Sequence, residues 1–304
     1  SRNTMTVSII IVNYNVYELL INCINSIYAN VKDIDYEIII VDNNSAEKNI
    51  DSIQQKYPDV KYLSLKENLG CAKANNIAAK AANGKYLLFL NPDTLVIENF
   101  IPEFITQFNK NSKTGICAPR LTYSDNSFQS STGPELGLFY DILESFMLIG
   151  FYRKFSNKKY LSDLSKEHKV GWVSAACLFI EKDVFDKISG FTESYFLNYE
   201  DIDLCFKVRV LGLDIFYFPS LKCVHLDHKS FNADYENLVF TRYKSRLNYI
   251  RLNYKFLKRI FSRVIFIEGL ILKIILVNFS YKPDERKSRR NGYIKSLKLY
   301  SGFN

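Results

Sequence analysis

The sequence predicts an α/β fold in which a mostly parallel central sheet is flanked by helices and followed by a C-terminal helical appendage. Three observations lead to this prediction. Apolar runs at 7–12, 36–41, 60–65 and 86–90 alternate with segments of helical spacing. Polar residues follow these runs, and the balance of charge changes sign near residue 241. Continuous apolar strands that alternate with helices are typical of a parallel sheet with both faces covered.

The helices between the strands are indicated by apolar residues three and four positions apart. The first helix covers 18–28, a second ends at 54–57, and an alanine-rich third covers 72–82. Connections of this kind are what parallel strands need, because each strand must return to the same end of the sheet before the next begins.

The middle of the chain is less regular. Residues 123–137 are rich in Ser, Gly, Asp and Pro, so we predict a loop there. Residues 141–160 show no clear period, and we expect a mobile loop region that can cover a site. Regular patterns return at 171–180, where a strand is expected, and at 182–188, where a helix is expected.

Polar side chains stand where the predicted strands end. Asn13 follows the first strand, Asp42 the second, and Asn91-Pro92-Asp93 the fourth. In open α/β sheets, ligands bind beyond the carboxyl ends of the strands. A carboxylate such as Asp93 can hold a divalent cation, which in turn can hold a pyrophosphate. An Asp after a strand is also a common turn former or helix cap, so both roles stay open for Asp93 on this evidence.

Acidic residues crowd the start of a predicted helix much later in the chain. Glu200, Asp201 and Asp203 precede a helical face that continues through Leu204 and Val208. One carboxylate there can complement the helix dipole, but that accounts poorly for three within four positions. Clustered carboxylates raise one another's pKa and can prepare a general base.

Two of the three histidines lie close together, at His225 and His228, on either side of Asp227. This grouping favours a metal or phosphate role about as much as a structural one.

The six cysteines show no CxxC pair, and no secretory signal pattern is seen in residues 1–6, so we expect free thiols in a reducing, cytoplasmic setting. The charge is distributed unevenly. Residues 241–304 carry a net charge of +13, whereas the first 240 residues carry −5. A basic C-terminal end predicts an anionic partner at that end only.

The segment 257–279 is predicted to be an amphipathic helix. Its charged and small residues share one helical face, namely Lys258, Arg259, Ser262, Arg263, Gly269 and Lys273. Apolar residues fill most of the remaining surface, apart from Glu268. Charges interrupt the segment too often for a bilayer span. We expect it to lie on an anionic membrane surface, or alternatively to pack on the preceding α/β domain with its basic face in solvent. Nucleic acid is not expected as a partner, since nothing resembles a reading motif.

The order of motifs resembles the family 2 glycosyltransferases of GT-A fold, and the rhamnosyltransferase-like branch most of all. The motifs run from residue 7 to residue 230 and read VSIIIVNYN, YEIIIVDNNS, ENLGCAKANN, GKYLLFLNPDT, GWVSAACLFIE, GFTESYFLNYEDIDLCFKVRVLG and VHLDHKS. So many motifs in one order make the resemblance far more specific than any single motif.

The resemblance implies roles for particular residues. The nucleotide would be held by Asn13, Asn15 and Asp42, and the donor pocket would be shaped by Asn68, Gly70, Asn75 and Asn76. The Asp-x-Asp metal motif of the family appears here as Asn91-Pro92-Asp93, and Asp93 with His225 would hold Mg²⁺ or Mn²⁺. The acidic pair Glu200–Asp201 would supply the catalytic base, for which we favour Asp201.

Three departures from the family pattern bear on these roles. Asn91 replaces an acid and lowers the negative charge at the metal. Ala175 stands where relatives often carry Gly in the acceptor-side segment, and His228 replaces a Gly in the His-to-Ser motif. The first departure makes a strict need for metal less certain, and the other two obscure the choice of substrate.

The resemblance implies an inverting hexosyltransferase that moves a sugar from a nucleotide-diphosphate donor, dTDP-rhamnose being the one the branch suggests. The acceptor would be a hydroxyl of a glycan or lipid-linked glycan in bacterial surface polysaccharide synthesis. The enzyme would lie in the cytoplasm or peripherally on the inner face of the membrane. Residues 1–240 would form the catalytic domain, with its nucleotide-sugar half in 1–120 and its acceptor half in 121–240, and residues 241–304 would form the helical basic segment.

Other classes fit less well. A nucleotidyltransferase usually carries a Gly-rich phosphate loop after the first strand, unlike the Asn13-Tyr14-Asn15 of this chain. A dinucleotide-dependent oxidoreductase would need GxGxxG at the same turn. A non-catalytic sugar-binding relative would be expected to lack Asp201 or Asp93, and both are present.

Overall fold

The computed structural model describes residues 5–46, 50–152, 154, 166–226 and 234–302. The strands are β1 Val7–Asn13, β2 Tyr36–Asp42, β3 Lys61–Ser64, β4 Tyr86–Leu90, β5 Thr94–Val96, β6 Thr114–Thr122, β7 Thr132–Gly133, β8 His168–Val170, β9 Trp172–Val173, β10 Cys177–Glu181 and β11 Asp214–His225. The helices are α1 Tyr17–Asn30, α2 Ile50–Lys56, α3 Cys71–Ala81, α4 Ile101–Lys110, α5 Leu138–Ser145, α6 Lys182–Lys187, α7 Glu200–Val210, α8 Tyr235–Asn253, α9 Phe256–Ser280 and α10 Pro283–Ser301.

Within the described residues, the main sheet has nine strands in the order β3-β2-β1-β4-β10-β6-β11-β5, with β8 paired to β11. Strands β1, β2, β3, β4, β6 and β11 share one direction, whereas β5, β8 and β10 run against it. The predicted mostly parallel sheet is therefore confirmed. Its central strands are buried along nearly their whole length, which is why they read as unbroken apolar runs.

The register explains why polar residues converge at one edge. In β1 and β2, Asn13 pairs with Asp42 at the last position of both strands. In β5 and β11, Thr94 pairs with His225, so the residues just before β5 lie near the end of β11. Side chains that are 29 and 131 residues apart in sequence are thus brought together by strand pairing alone.

The chain divides into two compact units. The first, here called the sheet unit, comprises residues 1–134, 160–196 and 200–227. The second, the helical unit, comprises residues 135–159, 197–199 and 228–304 and contains α5, α8, α9 and α10. The two units are groups of residues that pack together. The predicted domain boundary between residues 240 and 241 stays a prediction.

One prediction about the middle of the chain was wrong in the described residues, and another holds over most of its range. The expected loop at 123–137 is interrupted by the two-residue strand β7, which pairs antiparallel with β9. Helix α5 occupies part of the expected mobile loop at 141–160 and buries Tyr140, Asp141, Leu143, Glu144 and Ser145. Polar residues occupy part of this buried face because they pair with other buried charges, and that obscured the helical period.

Helix α9 lies where the sequence predicts it, but its orientation differs from the expected one. Ser262, Gly269 and Lys273, all of the predicted polar face, are buried. Lys273 Nζ donates hydrogen bonds to the carbonyl of Glu144 and to the Tyr243 hydroxyl at 2.8 and 2.9 Å. A Cβ on Gly269 would lie 2.5 Å from the Cβ of Ser145, so close packing requires glycine there.

The opposite face of α9 is exposed and mostly apolar, with the exposed Glu268 lying within it. Its exposed large side chains are Phe256, Leu257, Ile260, Phe261, Val264, Ile271, Ile275 and Phe279. Within the described part of the chain, no helix is both long enough and apolar enough to cross a membrane.

Candidate active site

The first cluster of site residues lies at the carboxyl ends of β1 and β2. Asn13 Nδ2 donates to Asp42 Oδ1 at 3.0 Å and to Ser45 Oγ at 3.2 Å. Ser45 holds both carboxylate oxygens of Asp42, through its hydroxyl at 2.5 Å and its backbone N–H at 3.1 Å. All three side chains are buried. The Asp42 carboxylate is therefore fixed in orientation before any ligand arrives.

Asn15 links the two loops that follow these strands. Its backbone is left-handed, with φ 57°, a conformation that Asn tolerates better than most residues. Its N–H donates to Ser45 Oγ at 2.9 Å, and its Oδ1 accepts from the N–H of Ala46 at 2.7 Å. Sequence reasoning did not single out Ser45, although it lies in the polar run that ends the second strand.

The predicted donor-pocket turn is tied to the same strand end. Asn43, which sequence reasoning also missed, donates to Asn68 Oδ1 at 2.9 Å and accepts from the N–H of Leu69 at 2.9 Å. Gly70 has φ +80°, and a Cβ there would lie 2.8 Å from the carbonyl oxygen of Phe196. Glycine is therefore required by both the backbone conformation and the close approach.

Asn75 and Asn76 are buried in α3 and have protein partners. Asn75 Nδ2 donates to Cys71 Sγ at 3.2 Å. Asn76 donates to the carbonyl of Phe191 at 2.8 Å and accepts from its N–H at 2.9 Å. The amide of Asn76 thus holds the segment around Phe191, and a direct role of either residue in donor binding stays a prediction.

The Asn91-Pro92-Asp93 turn lies against His225. His225 Nε2 is 3.2 Å from Asp93 Oδ1 and 3.3 Å from Asn91 Nδ2. On the other side of the ring, Nδ1 is 2.8 Å from Oε1 of the buried Gln129. A proton on Nδ1 donated to Gln129 would leave the lone pair of Nε2 on the side of the ring that faces Asp93, and a hydrogen bond of this kind orients a metal-binding His.

This donor set fits a divalent cation that keeps open positions. Asp93 supplies a carboxylate oxygen and His225 an imidazole nitrogen, and both side chains are mostly buried. No group of three or more His, Cys, Asp or Glu suited to a metal occurs in the described residues, in keeping with Asn91 in place of an acid. The remaining positions would be filled by phosphate oxygens and water. Asp227 and His228 lie outside the described residues.

The acidic pair begins helix α7. Asp201 accepts hydrogen bonds from the backbone N–H groups of Ile202 at 2.8 Å and Ala175 at 3.4 Å. Burial raises the pKa of Asp201, while these two donors oppose the rise. Burial, and next the charge of Asp201, raises the pKa of Glu200 to about 8. At neutral pH we therefore expect Glu200 to be mostly protonated.

The third acid of the cluster has a structural role. Asp203 is buried and accepts hydrogen bonds from Thr192 Oγ1 at 2.5 Å and from the Tyr195 hydroxyl at 3.3 Å. It holds the segment that precedes α7, which accounts for three acids within four positions.

Two adjacent residues connect the acidic pair to the Asn91–Asp93 turn. The N–H of Ala175 donates to Asp201, and the carbonyl of Ala176 accepts from the N–H of Asn91 at 3.1 Å. The donor-pocket turn also approaches the acids, because the N–H of Cys71 donates to the carbonyl of Phe196 at 3.2 Å. Burial, and next the charges of Glu200 and Asp201, raises the pKa of the Cys71 thiol. The acidic pair, the Asn91–Asp93 turn and the donor-pocket turn thus lie close to one another.

Residues 8–189 match the family model described as glycosyl transferase family 2. The chain belongs to this family. The predicted fold class and enzyme class of this glycosyltransferase are therefore confirmed, and the nucleotidyltransferase and non-catalytic alternatives are set aside. The roles assigned to individual site residues stay predictions.

The proteins similar to this chain include rhamnosyltransferases. Rhamnosyltransferase WbbL of Escherichia coli strain K12 is 25% identical over 244 residues, which cover 77% of this chain and 89% of that protein. The N-acetylglucosaminyl-diphospho-decaprenol L-rhamnosyltransferase of Mycobacterium tuberculosis is 25% identical over 223 residues, covering 68% of this chain and 72% of that protein.

Two solved structures share the fold at low sequence identity. The mannosyltransferase PcManGT of Pyrobaculum calidifontis, in complex with GDP-Man and Mn²⁺, has a TM-score of 0.59 at 15% identity, covering 97% of this chain and 86% of that one. GalNAc-T7 with UDP, GalNAc and Mn²⁺ has a TM-score of 0.64 at 14% identity, covering 99% of this chain and 57% of that one. At these identities the likeness concerns the fold alone.

Proposed function

We propose that this glycosyltransferase moves a hexose, rhamnose in the first instance, from a nucleotide-diphosphate donor to a hydroxyl of a lipid-linked glycan, with Asp201 as the base. The observation that carries the proposal is the pair of hydrogen bonds through which Ala175 and Ala176 hold both Asp201 and the Asn91–Asp93 turn. Such a transfer needs a base and a leaving-group site close together. The names of the rhamnosyltransferase relatives support the donor and the acceptor class.

Asp201 would accept the proton of the acceptor hydroxyl as its oxygen attacks the anomeric carbon. The bond from that carbon to the donor phosphate breaks in the same displacement, and the nucleotide diphosphate leaves on the opposite face, so the configuration inverts. Glu200, whose pKa is raised to about 8 by burial and by the charge of Asp201, is mostly protonated at neutral pH and is therefore less suited to take up the proton.

Residues at the strand ends would hold the donor. Asn13, Asn15 and Asp42 would bind the nucleoside, supported by the fixed orientation of the Asp42 carboxylate. Asp93 and His225 would hold Mg²⁺ or Mn²⁺, with Asn91 beside them, and such a cation stabilises negative charge on a departing diphosphate. Gln129 would keep the His225 ring in the orientation that faces Asp93.

The donor is tested with a panel of nucleotide sugars. We expect the purified enzyme to release free nucleotide diphosphate from one or a few members, dTDP-rhamnose among them, and faster when a lipid-linked saccharide acceptor is added. The Asp201→Asn variant is the matched control for release that does not depend on the enzyme's base. Absence of release from every donor tested, with and without acceptors, would contradict the proposed activity.

The proposed lipid-linked acceptor would lie at a membrane surface. The orientation of α9 means that its apolar side chains, and not the predicted basic face, would contact that surface. The basic residue Lys273 faces inward, whereas an apolar row faces outward. We propose that this row inserts at the boundary between headgroups and acyl chains on the cytoplasmic face. Exposed Lys255, Arg259 and Lys282 near the ends of α9, with the +13 net charge of residues 241–304, complement anionic headgroups. The six cysteines, all unpaired, are in keeping with a reducing compartment.

Vesicle co-sedimentation tests this surface. Ile271 and Ile275 are one helical turn apart and both exposed. We expect the double variant Ile271→Glu/Ile275→Glu to lose most of the pelleting seen with the wild type on phosphatidylcholine vesicles containing phosphatidylglycerol. The matched control is Val210→Glu, which changes an exposed apolar residue of the sheet unit. If the double variant pelleted like the wild type, or instead converted a wild-type dimer to monomer with vesicle binding unchanged, the membrane assignment would be wrong.

A further inference from the structure

Two residues with left-handed backbones stand immediately before the acidic pair. Asn198 has φ 67° and Tyr199 has φ 71°. Asn enters this region fairly readily, but a bulky residue such as Tyr does so only when its surroundings hold it there. The chain then continues directly into Glu200, the first residue of α7. A conformation of this kind next to the proposed base calls for a physical cause.

The side chain of Tyr199 is anchored inside the helical unit. Its ring is buried, and its hydroxyl donates to both carboxylate oxygens of Glu144 at 3.4 Å. Glu144 in turn accepts a hydrogen bond from Arg242 at 2.8 Å. The guanidinium of Arg246 lies 5.5 Å from the centre of the Tyr199 ring. Burial first, and then the charge of Glu144, raises the pKa of the Tyr199 phenol, so it remains a protonated donor.

The same segment is held a second time through its backbone. The Ser245 hydroxyl donates to the carbonyl of Leu197 at 2.8 Å. Residues 197–199 are thus fixed at both ends, by Ser245 of α8 and by Glu144 of α5. One peptide bond separates this anchored segment from Glu200, and the distance between consecutive Cα atoms is fixed by covalent geometry.

We propose that Tyr199 is a positioning residue, which Glu144 and Arg242 hold so that helix α7 begins where Asp201 can work as the base. This inference rests on the proposed function of Asp201. The contact it would protect is the long hydrogen bond of 3.4 Å from Ala175 N–H to Asp201, which a small shift of the helix start would break. Misplacement of a catalytic group by about 1 Å can cost up to roughly 10²-fold in rate.

The test is the Tyr199→Phe variant, which removes only the hydroxyl. We expect kcat to fall roughly tenfold with the donor KM nearly unchanged, since only the placement of the base is altered. We also expect the acid limb of the kcat profile to move to higher pH, because Asp201 would lose the Ala175 N–H that favours its charged form. Among the described residues, the titratable groups whose charge interacts with that of Asp201 are Glu200, Cys71 and Cys205.

The control is Tyr254→Phe, which removes another buried hydroxyl of the helical unit. That hydroxyl accepts from Arg246 at 3.2 Å and donates to Asp141 at 3.5 Å, and no short chain link joins it to the acids. We expect a comparable loss of melting temperature in the two variants, but unchanged kcat and pH profile in Tyr254→Phe. Equal kcat and pH profiles in Tyr199→Phe and wild type would overturn the inference. Failure of the proposed function would instead appear as normal turnover in Asp201→Asn, whatever Tyr199→Phe does.

Discussion

The buried polar residues of the sheet unit and those of the helical unit have different kinds of partner. In the sheet unit, buried Asn, Asp and Ser side chains meet at strand ends, where they can bind a ligand. In the helical unit, buried charges meet other charges, as in the ion pair of the buried Arg246 with Asp141 and in that of the buried Glu144 with the exposed Arg242. Most of the large apolar side chains exposed in the described residues belong to the helical unit, although it is the smaller one.

The physical reason is the free-energy cost of leaving a buried charge without its partner. Arg246 and Asp141 are almost completely buried, and removing one partner of such a pair commonly costs about 3–5 kcal/mol. A helix such as α9, which supplies Lys273 to this cluster, must turn that face inward. Its apolar residues then remain on the exposed face. The comparison teaches that the buried polar groups of the sheet unit stand at strand ends, whereas those of the helical unit are used in packing.

The largest expected effect concerns the base of the sheet unit. Asp201→Asn keeps the shape of the side chain and its acceptor oxygen but cannot take up a proton. We expect turnover to fall by about 10²–10⁴-fold with donor affinity little changed. The measurement is kcat together with donor binding by calorimetry. Near-normal turnover would reject Asp201 and direct attention to Glu200.

The next effect concerns the proposed cation site. We expect activity to disappear on chelation and to return with Mg²⁺ or Mn²⁺. Gln129→Leu should raise the metal concentration needed for half-maximal activity by about 10–100-fold, the usual effect of removing the hydrogen bond that orients a metal-binding His. Gln107→Leu, a change at a buried Gln of α4, serves as the control for stability. Full activity after exhaustive chelation would show that protein groups replace the cation.

A further expected effect concerns stability against pH. Because the folded-state pKa of Glu200 is raised from 4.5 to about 8, the folded protein binds a proton that the unfolded chain releases across this range. Wild-type stability should therefore fall as pH rises from about 4.5 to 8, and the fall should be less steep in Glu200→Gln, which keeps only the raised pKa of Asp201. Melting temperatures at several pH values provide the measurement, with the exposed Glu103→Gln as control. Parallel curves for wild type and Glu200→Gln would contradict the assignment.

The sequence predicted those features that depend on local patterns. The unbroken apolar runs of β1, β2 and β4 fixed the class of sheet, and the ends of parallel strands predicted that Asn13 and Asp42 would meet. The order of motifs gave the family, because many short patterns in sequence are specific even when each alone is weak.

Features that depend on distant partners could not be predicted in this way. Gln129 lies in a loop 96 residues before His225, and nothing in its neighbourhood marks it. The pattern of α9 shows which residues share a face, but not which face packs inward. That choice depends on the carbonyl of Glu144, which lies 129 residues before Lys273. Buried polar residues likewise concealed α5, because their partners are on α8.

The configuration of the transferred sugar tests the central claim most directly. A single displacement with Asp201 as base and the nucleotide diphosphate leaving on the opposite face must invert the anomeric centre. Nuclear magnetic resonance of freshly formed product, through the carbon–proton coupling at the anomeric position, reports the configuration relative to the donor. We predict inversion with the donor that the panel identifies. Retention would require a covalent sugar–enzyme intermediate or an equivalent second displacement, and would contradict the role proposed for Asp201.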